Sequence, residues 1–275
     1  MPQSATAPPH AMTRRTAGQD PLTVAHRGYS AVAPENTLAA VEAGVRAGAE
    51  YVEIDARTTA DGVPVLMHDS TVDRTTNGSG VVAELDAAYV TGLDAGSWFS
   101  PAFAAQRVPT LAQALDVLAE SGSGVLLEVK GPQPRAGSRA IVSAVLEHDL
   151  ADRVLVQSFD ERVLRDAREL APELPIGVLR STMDADPVAA ARAFGAVAYN
   201  PSAATLRPGA VGELTAAGVS VMPYTVDEPE HWQALADLGV DAIITNRAGE
   251  HADWRADRLT RASGVAASPS GAGAR

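Results

Sequence analysis

The chain has 275 residues, and 46% of them are hydrophobic, which is enough for one sizeable folded domain. It contains no cysteine, which excludes disulfides, thiolate metal sites and cysteine nucleophiles and fits a reducing compartment. A formal net charge of −12 argues against nucleic acid or an anionic membrane as a partner, because the long-range field repels both. A phosphate-bearing substrate would need local positive charge or a cation.

Two low-complexity segments flank the patterned part of the chain. Residues 1–20 and 263–275 are rich in small residues and proline without periodicity, and we predict both as disordered tails. Arg14-Arg15 is not followed by the apolar stretch of a signal peptide. No segment approaches the roughly 18 apolar residues of a membrane span. We therefore expect one domain over 21–262 in a cytoplasmic protein without stable membrane anchoring.

Between these segments, short apolar runs alternate with helical patterns. We predict strands at 22–26, 50–55, 124–129, 153–157, 175–179, 196–199, 219–225 and 241–245. We predict helices at about 36–47, 110–120, 138–148, 160–170, 185–193, 209–217, 228–237 and 249–260. Asn36, Thr110 and Asp160 are the expected N-caps. Strict alternation indicates a parallel sheet, so eight such units predict an α/β fold, a closed (β/α)8 TIM barrel.

One predicted hairpin stands outside this barrel. Asp61-Gly62 is a tight-turn signal, and folding 63–68 back on the second strand brings His68 roughly opposite Ile54 and Asp55. The connection is too short for the crossover that a parallel neighbour needs. Residues of about 69–109 then form a small insertion after the second strand and its hairpin, at the face where inserts often shape a substrate pocket.

The ends of the predicted strands carry charged residues, and a barrel of this kind has its active site there. Glu53 and Asp55 lie two residues apart on one strand, so they point to the same face. Glu128 and Lys130 repeat that spacing on the next barrel strand. Three carboxylates without cysteine describe an oxygen site for a hard cation such as Mg²⁺ or Ca²⁺. Lys130 is the only lysine of the chain, which suggests that a compact ammonium is needed there.

Each of these motifs also has a purely structural interpretation. The alternatives are a solvated strand end for Glu53-x-Asp55, a capping pair for His26-Arg27, a loop turn for His68-Asp69 and an ion pair for Glu128-x-Lys130. All four lie at strand ends or on the adjoining hairpin, and this shared placement favours a functional site.

A set of short motifs follows in a fixed order along the chain. They are His26-Arg27-Gly28, Pro34-Glu35-Asn36-Thr37, Glu53-Ile54-Asp55, Asp61-Gly62-x-Pro64-Val65, His68-Asp69, Glu128-Val129-Lys130, Gln157-Ser158-Phe159, Tyr224-Thr225-Val226 and Asp241-Ala242-Ile243-Ile244-Thr245. In this order they resemble the glycerophosphodiester phosphodiesterase family. The resemblance implies a (β/α)8 barrel, one divalent cation, and hydrolysis of glycerophosphodiesters to sn-glycerol 3-phosphate and an alcohol.

The resemblance also implies roles for individual residues. Glu53, Asp55 and Glu128 would hold the metal, and His26 and His68 would form the acid–base pair. Substrate contacts would come from Arg27, Lys130, Asn36 and Tyr224. We expect His68 to be the acid and His26 the base, although the sequence does not order them.

Two positions depart from the family pattern, which usually has Trp at Tyr224 and Asp at Asn246, and they bear on substrate preference. A related phosphodiesterase acting on lysophospholipid head groups is the nearest alternative. A barrel that binds without catalysis and a Schiff-base enzyme using Lys130 are two others. The acidic charge favours a small water-soluble diester. The sequence makes no prediction of oligomeric state.

Overall fold

Eight parallel strands form a nearly closed barrel in the computed structural model, which describes Arg15 and residues 19–262. Together with the hairpin strand β3, the strands are β1 Leu22–Ala25, β2 Tyr51–Thr58, β3 Pro64–Leu66, β4 Gly124–Val129, β5 Val154–Ser158, β6 Ile176–Arg180, β7 Ala198–Pro201, β8 Ser220–Val221 and β9 Ala242–Thr245. Their order around the barrel is β8-β7-β6-β5-β4-β2-β1-β9, with β3 outside it. The predicted TIM barrel is confirmed. The predicted tails lie outside the described residues, apart from Arg15, Gln19 and Asp20.

The barrel closes between β8 and β9 through the main chain. Asp241 N–H donates to the Val221 carbonyl at 2.9 Å, and Ile244 N–H donates to the Pro223 carbonyl at 3.1 Å. The strand predicted over 219–225 is shorter than expected, because Pro223 has no N–H to continue the ladder.

The helices are α1 Leu38–Arg46, α2 Ala87–Gly92, α3 Leu111–Ala119, α4 Arg135–Glu147, α5 Glu161–Leu170, α6 Pro187–Ala193, α7 Pro208–Ala216, α8 Pro229–Leu238 and α9 Ala248–Ala262. Thr110 and Asp160 are N-caps as predicted. The cap prediction for Asn36 is wrong, because Thr37 caps α1 while the Asn36 amide binds the buried Asp55. Among the described residues, no helix combines the length and hydropathy needed to cross a bilayer.

Side-chain alternation along β2 explains how polar residues reach the barrel mouth. Val52 and Ile54 pack outward in the large apolar core between barrel and helices, whereas Tyr51 packs inside the barrel. Glu53 and Asp55 have the same parity as Tyr51, so they too point inward. Apolar side chains fill the barrel below them, which leaves the polar site at the C-terminal mouth.

The hairpin forms with the predicted geometry. β3 pairs antiparallel with β2, and Ala56 faces Leu66 in the register. Met67 N–H donates to the Asp55 carbonyl at 3.0 Å, so the chain is still paired with β2 one residue before His68. The insertion that follows contains α2 and has an apolar core of its own, built from residues such as Met67 and Val90. This core anchors the hairpin over the barrel mouth.

Candidate active site

A cavity of about 160 Å³ opens at the C-terminal mouth of the barrel. Seven of the nine predicted site residues line it: His26, Arg27, Glu53, His68, Glu128, Lys130 and Tyr224. The other two, Asp55 and Asn36, lie directly behind this lining, each buried and bonded to a neighbour of the site. The structure therefore brings the predicted residues together.

Glu53, Asp55 and Glu128 form a buried carboxylate cluster in which one oxygen from each lies within 4.8 Å of the others. Burial and the repulsion of its neighbours raise the pKa of Glu53 well above its usual range. The same causes raise the pKa of Glu128 to about 7. Burial also acts to raise the pKa of Asp55, but Lys130 and Arg27 outweigh it and leave that pKa low. Three converging carboxylates are ligands that a hard divalent cation prefers, and the cluster could hold one.

Lys130 supplies positive charge to this cluster. Its Nζ lies 2.9 Å from Asp55 Oδ1 and 2.6 Å from Glu128 Oε1, and only 9% of the side chain is exposed. Although burial lowers the pKa of Lys130, the two carboxylates outweigh it and raise the pKa above its usual value. The ammonium therefore stays charged while it lines the cavity.

Arg27 reaches the cluster through its backbone and its side chain. Its φ of 54° lies in the left-handed region, and its N–H donates to Glu53 Oε2 at 2.7 Å. Its guanidinium donates to Glu35 at 2.8 Å and lies 3.4 Å from Asp55. The turn needs glycine next, because a Cβ at Gly28 would lie 2.3 Å from the main chain of α1.

Asn36 holds Asp55 from behind the cavity. Its Nδ2 donates to Asp55 Oδ2 at 2.8 Å, and its Oδ1 accepts from the Asp55 N–H at 3.0 Å. Both polar groups of the amide therefore face one carboxylate residue. The direct substrate contact expected of Asn36 stays a prediction. In the structure, the Asn36 amide holds Asp55 in place.

His26 follows β1 and lines the cavity from the first strand. Its Nδ1 lies 2.7 Å from Asn246 Oδ1. Burial, together with the positive charge of Arg27, lowers the pKa of His26 to about 4. The imidazole is therefore neutral at physiological pH.

His68 enters the same cavity from the hairpin, and 34% of its side chain is exposed. Its Nδ1 lies 2.6 Å from Asp69 Oδ1, and Arg74 binds the other oxygen of that carboxylate at 2.6 Å. Burial, helped by the positive charge of Lys130 and Arg27, lowers the pKa of His68 below its usual value, although Asp55 and Asp69 act in the opposite direction. The two histidines therefore have different partners, an amide for one and a carboxylate for the other.

Tyr224 lines the cavity with its aromatic ring and not with an ionised hydroxyl. Its hydroxyl donates to the Arg180 carbonyl at 3.0 Å, and its ring meets Phe159 edge-on with centroids 5.9 Å apart. Burial raises the pKa of Tyr224 to about 12. The neutral ring therefore borders the cavity while its polar end is occupied by the backbone.

Sequence reasoning missed two residues that support the histidines. Arg57 continues the Glu53–Asp55 face of β2, and its Nε and Nη2 donate to the His68 carbonyl at 3.1 and 2.8 Å. Extending the two-residue spacing by one step would have found it. Asp227 holds the Asn246 amide, and no local pattern connects it to His26.

The fold and the site together define a barrel enzyme whose cavity joins two imidazoles to a buried carboxylate cluster and two cationic side chains. A family model described as the glycerophosphoryl diester phosphodiesterase family matches residues 26–250. The chain belongs to this family and is a phosphoric diester hydrolase of that class.

Individual relatives agree with the family match. The chain is 36% identical over 227 residues to a glycerophosphodiester phosphodiesterase of Caldanaerobacter subterraneus, covering 82% of this chain and 93% of that one. It is similar in structure to an Oleispira antarctica phosphodiesterase in complex with the product sn-glycerol-3-phosphate, with a TM-score of 0.81, 29% identity and coverage of 86% and 97%. A glycerophosphodiester phosphodiesterase from Agrobacterium tumefaciens matches with a TM-score of 0.76, 30% identity and coverage of 85% and 99%.

Proposed function

We propose that the protein hydrolyses glycerophosphodiesters to sn-glycerol 3-phosphate and an alcohol, using a divalent cation and the pair His26 and His68. The observation that carries the proposal is the convergence of both imidazoles on one cavity beside three buried carboxylates. The product bound by the Oleispira antarctica relative supports the choice of substrate. The cytoplasmic location expected from the composition stays a prediction.

Glu53, Asp55 and Glu128 would hold the cation. The set offers only oxygen ligands, which suits Mg²⁺ or Ca²⁺. When bound, such an ion offsets negative charge on phosphoryl oxygens. Three carboxylates and one divalent ion would leave a local charge of about −1, which Arg27 and Lys130 would change to about +1. The two cationic side chains thus make the cavity attractive to an anionic phosphodiester.

The environments of the two histidines support distinct roles. His26 is neutral because burial lowers its pKa to about 4, and a neutral imidazole can take a proton from an attacking hydroxyl. Burial lowers the pKa of His68, but Asp69 is hydrogen-bonded to its Nδ1 and opposes that shift, because a carboxylate partner stabilises an imidazolium. His68 would therefore give its proton to the oxygen of the leaving alcohol, while Arg57 holds its main chain in place.

The test is an assay of sn-glycerol 3-phosphate released from glycerophosphocholine after EDTA treatment and after adding back Mg²⁺ or Ca²⁺. We expect activity only with added cation. We expect H26A and H68A each to lower kcat by about 10²–10⁴-fold, since each removes one proton-transfer group. Calorimetry should show that both variants still bind the cation.

Two outcomes would contradict the proposal. One is an alanine variant with wild-type kcat at saturating cation, which would remove that histidine from the reaction. The other is full activity in EDTA. Choline release from lysophosphatidylcholine, measured in parallel, would favour a lipid substrate instead.

A further inference from the structure

We propose that Asp227 is a positioning residue that fixes where the proton of His26 lies, acting through the amide of Asn246. The inference rests on the proposed function, in which His26 is the base, and it adds the reason why this ring can accept a proton. Asp227 lies in the loop between β8 and α8, and Asn246 directly follows β9.

Asp227 receives three hydrogen bonds from the end of β9. Its Oδ1 accepts from the Asn246 N–H at 2.8 Å and from Thr245 Oγ1 at 3.0 Å, and its Oδ2 accepts from Asn246 Nδ2 at 2.7 Å. An ionised carboxylate has no proton to donate. The side chain of Asn246 must therefore turn its NH₂ group, not its oxygen, toward Asp227.

The opposite end of the same amide then faces His26. Asn246 Oδ1 lies 2.7 Å from His26 Nδ1 and also accepts from Ser30 Oγ at 2.9 Å. An amide oxygen only accepts hydrogen bonds, so His26 Nδ1 must carry the proton. In a neutral imidazole the other nitrogen then holds the lone pair. Nε2 is left as the basic atom of a ring that lines the cavity.

The tautomer of His26 depends on the inability of the Asp227 carboxylate to donate a hydrogen bond, and not only on its shape. In D227N, the new amide can donate its NH₂ group to Asn246 Oδ1. The Asn246 amide would then reverse and present its own NH₂ group to His26. Nδ1 would have to accept, the proton would move to Nε2, and the lone pair that takes the substrate proton would be lost.

An exchange of the two side chains restores the original pattern of hydrogen-bond donors and acceptors around His26. In D227N/N246D, the carboxylate at position 246 accepts from His26 Nδ1 and from the amide at position 227. The oxygen of that amide accepts from the position 246 N–H and from Thr245. Each donor again meets an acceptor, and His26 keeps its proton on Nδ1.

The tautomer can be measured directly. Protein labelled with ¹⁵N-histidine and saturated with Mg²⁺ gives imidazole ¹⁵N shifts that distinguish Nδ1–H from Nε2–H, and H26A assigns the His26 signals. We expect Nδ1–H in the wild type and Nε2–H in D227N, with kcat of D227N about 10²–10⁴-fold lower. We expect D227N/N246D to regain Nδ1–H and to recover at least about tenfold of the lost kcat.

D186N is the matched control, because Asp186 is an exposed N-cap where asparagine caps equally well. It should leave kcat and the His26 shifts unchanged. An Nε2–H tautomer in the wild type would overturn the inference, and so would a double variant no more active than D227N. An Nδ1–H tautomer in a wild-type protein without diesterase activity would support the positioning of His26 and refute the proposed reaction.

Discussion

Replacing Lys130 with methionine tests how the carboxylate cluster is balanced. Its Nζ lies within 2.9 Å of Asp55 and 2.6 Å of Glu128, both buried, and methionine has a similar length without the charge. Breaking a buried ion pair costs about 3–5 kcal/mol. Glu128, whose pKa is already raised to about 7, can take up a proton, so we expect the lower figure. A loss of about 3 kcal/mol lowers Tm by roughly 6–12 °C in a domain of this size.

The assay compares thermal unfolding of wild type and K130M in EDTA and in excess Mg²⁺ or Ca²⁺. We expect the Tm of K130M to fall furthest below that of the wild type in EDTA. A cation that binds only the folded state at about 100 times its Kd adds about 2.7 kcal/mol. Without the ammonium that competes for Asp55 and Glu128, the cluster of K130M should bind the cation more tightly than the wild type does. Added cation should therefore narrow the difference in Tm, and calorimetry should show the lower Kd.

R135M provides the control, because Arg135 forms ion pairs with Asp166 and Glu169 while 48% exposed. A surface pair of this kind contributes about 0–1 kcal/mol. Equal Tm values for K130M and wild type in EDTA would show that Lys130 does not stabilise the buried carboxylates. A deficit that the cation does not change would refute the cluster as a cation site.

Two further predictions concern histidines and their support. R57M should lower kcat about tenfold with unchanged cation affinity, because two hydrogen bonds to the His68 carbonyl are lost. The kcat of R57K should lie between those of R57M and the wild type. An unchanged kcat in R57M would show that Arg57 does not support the site. Burial lowers the pKa of His251 from 6.5 to about 3, so the stability it contributes is complete above 6.5 and falls at lower pH. In urea unfolding, the wild type should lose about 2–3 kcal/mol more than H251F between neutral pH and about pH 4.5. Equal losses in both proteins would contradict this assignment.

Local spacing was sufficient to predict the acidic half of the site. Glu53 and Asp55 share a face because side chains alternate in any strand, and Asp61-Gly62 returns the chain to place His68 beside them. These relations need only neighbouring residues. The same holds for the predicted N-cap at Thr110, whose side chain accepts from the Gln113 N–H three residues later.

Contacts between distant segments were decided only by the tertiary structure. Asn36 and Thr37 are both good N-caps by type, and the choice between them depends on Asp55, which needs the Asn36 amide. His26 meets Asn246 only because β1 pairs with β9 to close the barrel, and Asp227 joins them through the loop after β8. Such hydrogen bonds depend on strand order and barrel closure. Periodicity along a single segment contains no information on strand order or barrel closure. The sequence by itself therefore determined the candidate ligands and histidines. The closed barrel decided which residues hold each of them in place.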